Sequence, residues 1–66
     1  MTVTVNGNTM KLETGMTINS FLVANNISSK GVVIEHNYNI IEDQNTDSTY
    51  LKDGDNLEIV KFIGGG

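Results

Sequence analysis

The residues with the clearest chemical potential stand at the end of the chain, where the sequence reads KFIGGG. Glycine has no Cβ and accepts nearly any backbone angle, but it loses more conformational freedom on ordering than any other residue. Gly64, Gly65 and Gly66 are therefore expected to form a flexible, unbranched tail that ends in a carboxylate. A loose terminus without function is one interpretation, and a reactive end is the other.

The remaining side chains offer little for independent catalysis. The chain has one His, no Cys and no Arg, so it lacks a thiolate nucleophile and the ligands of a Cys-built zinc site. His36 is expected to be structural or solvent-facing, since a single His near a strand end seldom acts as base or ligand. Asp53 to Asp55 read DGD, which predicts a tight turn because the other ligands of a calcium loop are missing. We therefore predict no catalytic residue, no metal site and no bound cofactor, and expect that the protein is not an enzyme.

Length and composition predict one small domain that folds alone. The chain has 66 residues, of which 38% are hydrophobic and 18% charged, a composition too apolar for a disordered segment. Four Lys against eight acidic residues give a net charge of −4, which argues against nucleic-acid binding. An acidic surface either serves solubility or complements a basic partner, and charge alone does not choose between the two. No apolar run approaches the roughly 18 residues of a membrane span, and no signal peptide is evident. Because the chain has no Cys for a disulfide, we expect it in the cytoplasm.

In the first half of the chain, the spacing of apolar residues changes from every second residue, typical of a strand, to the spacing of a helix. MTVTV and TMKLE alternate apolar and polar residues on either side of Asn6-Gly7, the strongest short signal for a β-hairpin. Thr17 can cap a helix whose apolar residues Ile18, Phe21 and Leu22 recur at helical spacing. We expect about three turns, ending near SSKG, with Gly31 as the left-handed residue.

The second half predicts short strands around one polar loop. VVIEH and Ile40-Ile41 read as brief strands, residues 42–49 as a surface loop, and Tyr50 and Leu51 as apolar anchors. The strand LEIVKFI follows the DGD turn. The whole pattern predicts an α+β domain of about four strands, with one helix covering one sheet face.

Alternation along the last strand separates an inward pair of side chains from an outward pair. Leu57 and Ile59 are expected to face the core, whereas Val60 and Phe62 are expected to face outward beside the glycine tail. An apolar pair at that place suggests a docking surface. We therefore predict that Val60 and Phe62 bind a partner.

The ordered set of motifs resembles the ThiS family, the sulfur carriers of thiamine biosynthesis. The matching segments are VTVNG, the helix after TGMTI, VVIEHN followed by II, LKDGDNLEIV, and the terminal GG, so the resemblance runs from end to end. It implies the ubiquitin-like β-grasp fold, an α+β arrangement in which a mixed sheet of four to five strands carries one main helix on one face. The domain would cover residues 1–63 and the glycine tail residues 64–66.

The resemblance also implies a chemistry for the tail. The carboxylate of Gly66 would be adenylated with ATP by a ThiF-like activating enzyme and converted to a thiocarboxylate with sulfur from a donor such as a cysteine desulfurase. Gly64 and Gly65 would enter the active site of the partner, and the sulfur would pass to a ThiG-like thiazole synthase. On this interpretation the protein is a co-substrate, and ATP is consumed by its partner.

Three other functions remain open from the sequence. The small subunit of molybdopterin synthase shares the fold and the terminal chemistry but is usually longer. A ubiquitin-like modifier would use the same tail for conjugation to lysines. A β-grasp binding module without terminal chemistry would not need Gly65 and Gly66 at all.

Overall fold

The computed structural model describes residues 1–61, which form five β-strands, one α-helix and one short 3-10 helix. In chain order these are β1 (Thr2–Val5), β2 (Asn8–Lys11), α1 (Ile18–Ala24), β3 (Val32–His36), β4 (Asn39–Ile41), the 3-10 helix (Asp43–Asn45) and β5 (Asn56–Lys61). The predicted α+β class with four to five strands is therefore confirmed. Both predicted hairpin strands and the predicted final strand are present.

The five strands form a single mixed sheet in the order β2-β1-β5-β3-β4. β5, the last of the strands in the chain, lies at the centre. It pairs parallel with β1 through Val5 and Leu57, and antiparallel with β3 through Ile34 and Ile59. The outer pairs β1–β2 and β3–β4 are antiparallel hairpins. The strand that leads to the glycine tail is thus held between two others.

The first hairpin turns at the predicted Asn-Gly pair. Asn6 and Gly7 have φ of 49° and 82°, as a type I′ turn requires at its two central positions. The second hairpin turns through Asn37 and Tyr38, with φ of 50° and 69°. Tyr38 has a Cβ and adopts this left-handed conformation at a steric cost.

The helix begins where the sequence predicts and ends earlier. Thr17 accepts a hydrogen bond at 3.0 Å from the backbone N–H of Ser20, and the Ser20 hydroxyl accepts one at 2.8 Å from the N–H of Thr17, so the two form a reciprocal cap. The helix has seven residues, about two turns, so the prediction of three turns was wrong.

The end of the helix is a left-handed cap at Asn26, where the sequence analysis predicted Gly31. Asn26 has φ of 56°. The N–H groups of Asn26 and Ile27 reach back to the carbonyls of Val23 and Leu22, at 3.1 and 2.9 Å. Ile27 packs against the core, as is common after such a cap. Because Asn also tolerates positive φ, the left-handed residue that follows the helix stands five positions before Gly31.

The core lies between α1 and one face of the sheet. Its buried apolar residues come from the helix, from the central strands and from the segment before β5: Val3, Val5, Ile18, Phe21, Leu22, Ile34, Leu51 and Leu57. The most deeply buried of these, each 2% exposed or less, are Phe21, Ile18, Leu22, Leu57 and Val3. We call this side of the sheet the core face and the opposite side the open face.

The segment between β4 and β5 is more ordered than a plain surface loop. It contains the 3-10 helix, and Thr46 beside it is buried. The carbonyls of Thr46 and Thr49 accept hydrogen bonds from the N–H groups of Asn19 and Ile18, which tie this segment to the start of α1. Of the two expected apolar anchors, Leu51 is buried and Tyr50 is 59% exposed, so the prediction for Tyr50 was wrong.

Candidate functional site

β5 leads directly from the core to the predicted tail. Leu57 is fully buried and Ile59 packs against the core, whereas Val60 is 52% exposed on the open face. The predicted inward and outward sides therefore hold for Leu57, Ile59 and Val60, and Lys61, the last described residue, is exposed. The other predicted site residues, Phe62, Gly64, Gly65 and Gly66, lie outside the described residues.

Val60 belongs to a small apolar patch on the open face. Val33 lies directly opposite Val60 on β3, and Ile40 lies on β4 opposite Glu35, the next open-face residue of β3. Ile40 is 70% exposed. We call Val33, Ile40 and Val60 the apolar patch. The alternation of the sequence predicted that Val60 faces outward. Val33 and Ile40 could be placed on the same face only once the order of the strands was known.

Two carboxylates border the apolar patch on the central strands. Glu35 on β3 and Glu58 on β5 are direct partners in the antiparallel register, and both are half-buried. Among residues 1–61, the recorded ion pair joins His36 to Asp55 and includes neither of them. Two like charges directly opposite each other destabilise a strand pair. In the described part of the chain, the open face thus combines apolar side chains with two carboxylates that form no ion pair.

A polar cluster lies at the other end of β5, where the chain enters the strand. The Asp55 carboxylate is 2.7 Å from His36 Nε2, and it accepts hydrogen bonds from Asn37 Nδ2 at 3.1 Å and from the N–H of Lys52 at 2.8 Å. An ionised carboxylate can only accept, so the Nε2 atom of His36 carries the hydrogen. We call His36, Asn37 and Asp55 the Asp55 cluster. It joins the β3–β4 turn to the turn before β5.

Two opposing effects act on the pKa of Asp55. Burial by itself would raise the pKa of this carboxyl, but hydrogen bonds from His36, Asn37 and the backbone of Lys52 hold the pKa below its ordinary value of 3.8. Asp55 is therefore ionised at neutral pH. The DGD motif predicted a turn at this residue but gave no sign that its carboxylate is buried and hydrogen-bonded.

The Asp55 cluster has the histidine and carboxylate of a catalytic pair but lies at the opposite end of β5 from Lys61. β3 and β5 run antiparallel, so His36 pairs with Leu57 at the start of β5 while the tail follows the end of that strand. Residues 1–61 enclose no pocket and contain no group of His, Cys, Asp and Glu side chains suited to a metal ion. The contacts of His36 support a structural role for it. The absence of a catalytic residue, metal or cofactor remains a prediction.

No helix in the described part of the chain is long and apolar enough to cross a membrane.

A five-stranded mixed sheet with one α-helix packed on a single face defines a ubiquitin-like β-grasp domain. The crystal structure of the thiamine biosynthesis protein ThiS from Geobacter metallireducens is similar over the full length of both chains, with a TM-score of 0.82 and 33% identity. The solution structure of a thiamine biosynthesis protein from the same organism has a TM-score of 0.78 and 32% identity, and all of this chain matches 88% of that one.

The family follows from the match of the ThiS family model to residues 3–66. The chain belongs to the ThiS family. A thiazole synthase from Paramagnetospirillum magneticum is 35% identical over all 66 residues. The match covers 20% of that protein, so the chain spans about a fifth of the length of this relative.

Proposed function

We propose that the chain carries sulfur as a thiocarboxylate on Gly66 and donates it for the formation of the thiazole of thiamine. The observation that carries this proposal is a central strand, β5, which runs from the buried Leu57 to the exposed Val60 and then, in sequence, to three glycines. The domain acts as a co-substrate for enzymes that supply the catalytic groups. We also propose that it works in the cytoplasm, since it has no Cys to form a disulfide.

Activation of the carboxylate is the first chemical requirement. At neutral pH an α-carboxylate is an anion, because its ordinary pKa is about 3.5, and an anion resists attack by a sulfur nucleophile. Reaction with ATP on a ThiF-like enzyme joins the carboxylate to AMP and releases pyrophosphate. Attack by a persulfide, supplied by a donor such as a cysteine desulfurase, then expels AMP and leaves an acyl disulfide. Reduction of its S–S bond by a thiol gives the thiocarboxylate.

The glycines suit a passage into the active site of another protein. Fully extended, Gly64 to Gly66 span at most roughly 10 Å, and they bring no side chain that would widen the channel. Ordering them opposes binding, so the folded domain has to supply compensating contacts. Val60 and Phe62 are proposed to do so, and the apolar patch around Val60 supports this role.

The open face also indicates the kind of partner surface. The apolar patch would pack against apolar side chains, and the charge of Glu35 and Glu58 would be met by Lys or Arg on the partner. We propose the activating enzyme and a ThiG-like thiazole synthase as successive occupants. The likeness to part of a thiazole synthase supports the second of them.

Intact-mass measurement tests the proposed chemistry. The protein is incubated with ATP, the activating enzyme, a sulfur donor and a thiol, and is expected to gain the mass difference between one sulfur and one oxygen. A variant that lacks Gly66 has no carboxylate at the required reach and is expected to show no such gain. Omission of ATP should abolish the gain in the wild type.

Two outcomes would reject the proposal. If the wild type forms neither an adenylate nor a thiocarboxylate, the tail is not charged. If variants without Gly65 and Gly66 still support thiamine synthesis in cells, the domain works without terminal chemistry. Recovery of the protein joined through Gly66 to lysines of other proteins would instead indicate a modifier.

A further inference from the structure

β1 ends before β5 does, so among the described strands the last part of β5 has a neighbour on one edge only. The parallel pairing of the two strands includes Val5 and Leu57, after which β1 turns away while β5 continues to Lys61. The turn begins at Asn6, whose φ of 49° takes the backbone out of the sheet. Beyond Leu57, the backbone of β5 therefore needs another partner on this side.

The side chain of Asn6 supplies that partner. Its Oδ1 accepts a hydrogen bond from the N–H of Ile59 at 2.7 Å, and its Nδ2 donates one to the carbonyl of Ile59 at 3.3 Å. The backbone N–H of Asn6 donates to the carbonyl of Leu57 at 2.9 Å. A carboxamide carries the same donor and acceptor as a peptide group. The Asn6 side chain thus extends the parallel ladder by one step after the strand itself has turned.

The contact between Asn6 and Ile59 lies next to the apolar patch that is proposed to bind a partner. Ile59 immediately precedes Val60, the exposed residue of the apolar patch, and Ile59 itself packs against the core. On the other edge, β3 holds this part of β5 through Val33 and Val60. With the Asn6 side chain in place, the end of β5 is fixed from both edges, and Val60 is held on the open face.

We propose that Asn6 is a positioning residue for the charging of the tail. This inference rests on the proposed function, because it assumes that a partner binds the open face and receives the residues after Lys61. If the end of β5 were attached only to β3, the partner would have to order it on binding, and that loss of freedom would weaken the encounter complex. Asn6 would then affect the KM of the activating enzyme and leave the rate of adenylation in the complex unchanged.

The turn alone does not require an amide at position 6. Gly also adopts positive φ and is accepted in a type I′ turn, and so is Asp. Asn6→Gly therefore keeps the hairpin and removes both hydrogen bonds to Ile59. Asn6→Asp keeps the acceptor for the Ile59 N–H and removes the donor. Asn26→Gly is a matched control, because Asn26 also has positive φ but lies at the end of α1.

The test combines amide hydrogen exchange with steady-state kinetics of the activating enzyme. In Asn6→Gly, the Ile59 amide is expected to exchange at least tenfold faster, whereas the Ile34 amide in β3 keeps its rate. The KM for the carrier should rise about five- to tenfold with kcat within twofold of the wild type. In Asn6→Asp the rise of the KM should be smaller than in Asn6→Gly. Asn26→Gly should match the wild type in both measurements.

Three outcomes would overturn the inference. One is a wild-type KM in Asn6→Gly despite faster exchange at Ile59. The second is an unchanged exchange rate at Ile59, and the third is an equal rise of KM in Asn26→Gly, which would indicate general destabilisation. A wild type that is never charged would reject the proposed function itself and, with it, the role of Asn6. Charging of the wild type together with normal charging of Asn6→Gly would reject the inference alone.

Discussion

At the residue scale, the ionised carboxylate of Asp55 connects three parts of the chain through hydrogen bonds. Its carboxylate contacts His36, Asn37 and the backbone of Lys52, so it holds the end of β3 to the turn before β5. Hydrogen bonds to an ionised and buried group are worth more than neutral ones, and loss of one partner leaves the others unsatisfied. We therefore expect this acidic residue to affect folding rather than sulfur chemistry.

The lowered pKa of Asp55 predicts a specific dependence of stability on pH. Because the folded-state pKa lies below the unfolded value near 3.8, the unfolded chain binds the proton more readily, and stability falls as the pH drops from about 5 through the folded-state pKa. Asp55→Asn should cost about 1–3 kcal/mol at pH 7. The difference between the two proteins should shrink with acidification, as measured by urea unfolding at a series of pH values.

Asp47→Asn is the control for this prediction, since Asp47 is exposed in the segment before β5. It should change stability little at any of these pH values. A difference between the wild type and Asp55→Asn that stays constant from neutral pH to pH 3 would contradict the assigned role.

The sequence predicted single residues well where one local signal decides. Asn6-Gly7 and the Thr17 cap were predicted because turn and cap chemistry depend on adjacent residues. Asp55 was missed because DGD indicates a turn without indicating which carboxylate points inward. That choice depends on His36, which is 19 positions away in the chain.

At the element scale, the open-face pairing of β3 and β5 has an internal conflict. Glu35 and Glu58 are opposed in register and half-buried, so their repulsion opposes the same strand pair that Ile34 and Ile59 stabilise. A domain selected only for stability would not need two carboxylates at this place. Their presence is consistent with a face whose charge serves a partner.

Neutralising one member of this pair should stabilise the fold. Glu58→Gln is expected to raise the free energy of unfolding by a few tenths of a kcal/mol, up to about 1 kcal/mol, in low salt. The gain should decrease in about 1 M salt, where the Debye length is near 3 Å. Urea unfolding at the two salt concentrations measures the effect.

Glu13→Gln makes the same change of charge at an exposed position after β2 and serves as the control. If both variants gain the same stability, the effect comes from net charge, and the repulsion between Glu35 and Glu58 contributes nothing of its own.

Element boundaries were the less predictable part of the fold. Both Asn26 and Gly31 can adopt positive φ, so local chemistry allowed either to end the helix. The packing of Ile27 against the core accompanies the earlier end. Tyr50 and Leu51 were likewise equivalent by hydrophobicity, and only the course of the chain buries Leu51 and exposes Tyr50.

At the scale of the whole molecule, the two outer surfaces differ in their expected use. The open face presents Val60 beside other apolar residues, whereas the outer side of α1 presents Val23 as a single exposed valine of similar exposure, 66% against 52%. Single exposed apolar residues are normal on monomers, but grouped ones mark interaction sites. The comparison of these two valines therefore tests which surface binds the partner.

Truncation of the two valines should have unequal effects on sulfur transfer. Val60→Ala is expected to raise the KM of the activating enzyme roughly fivefold, as loss of a contact worth about 1 kcal/mol would do. Val23→Ala should leave KM within twofold, and both variants should remain folded. Steady-state formation of the adenylate measures both values, and an equal effect of the two changes would argue against the open face.

The arrangement of the sheet could not be derived from local patterns. Alternation indicated strands but not that the first and the last would pair in parallel, since that contact joins residues more than fifty positions apart. The resemblance to the ThiS family implied a β-grasp fold with a mixed sheet, and the strand order comes from the structure. Val60 could be assigned to the outside from its own strand, whereas Val33 and Ile40 could be placed on the same face only from the strand order.

The central place of β5 has a consequence for biosynthesis of the protein. The strand that completes the middle of the sheet is translated after every other described element, so β1 and β3 have no strand to pair with between them until it emerges. A chain cut short before Asn56 would lack Leu57 at the core and would not fold as described. Chains cut short at that point are therefore expected to expose the apolar residues of β1 and β3 and to be open to proteolysis.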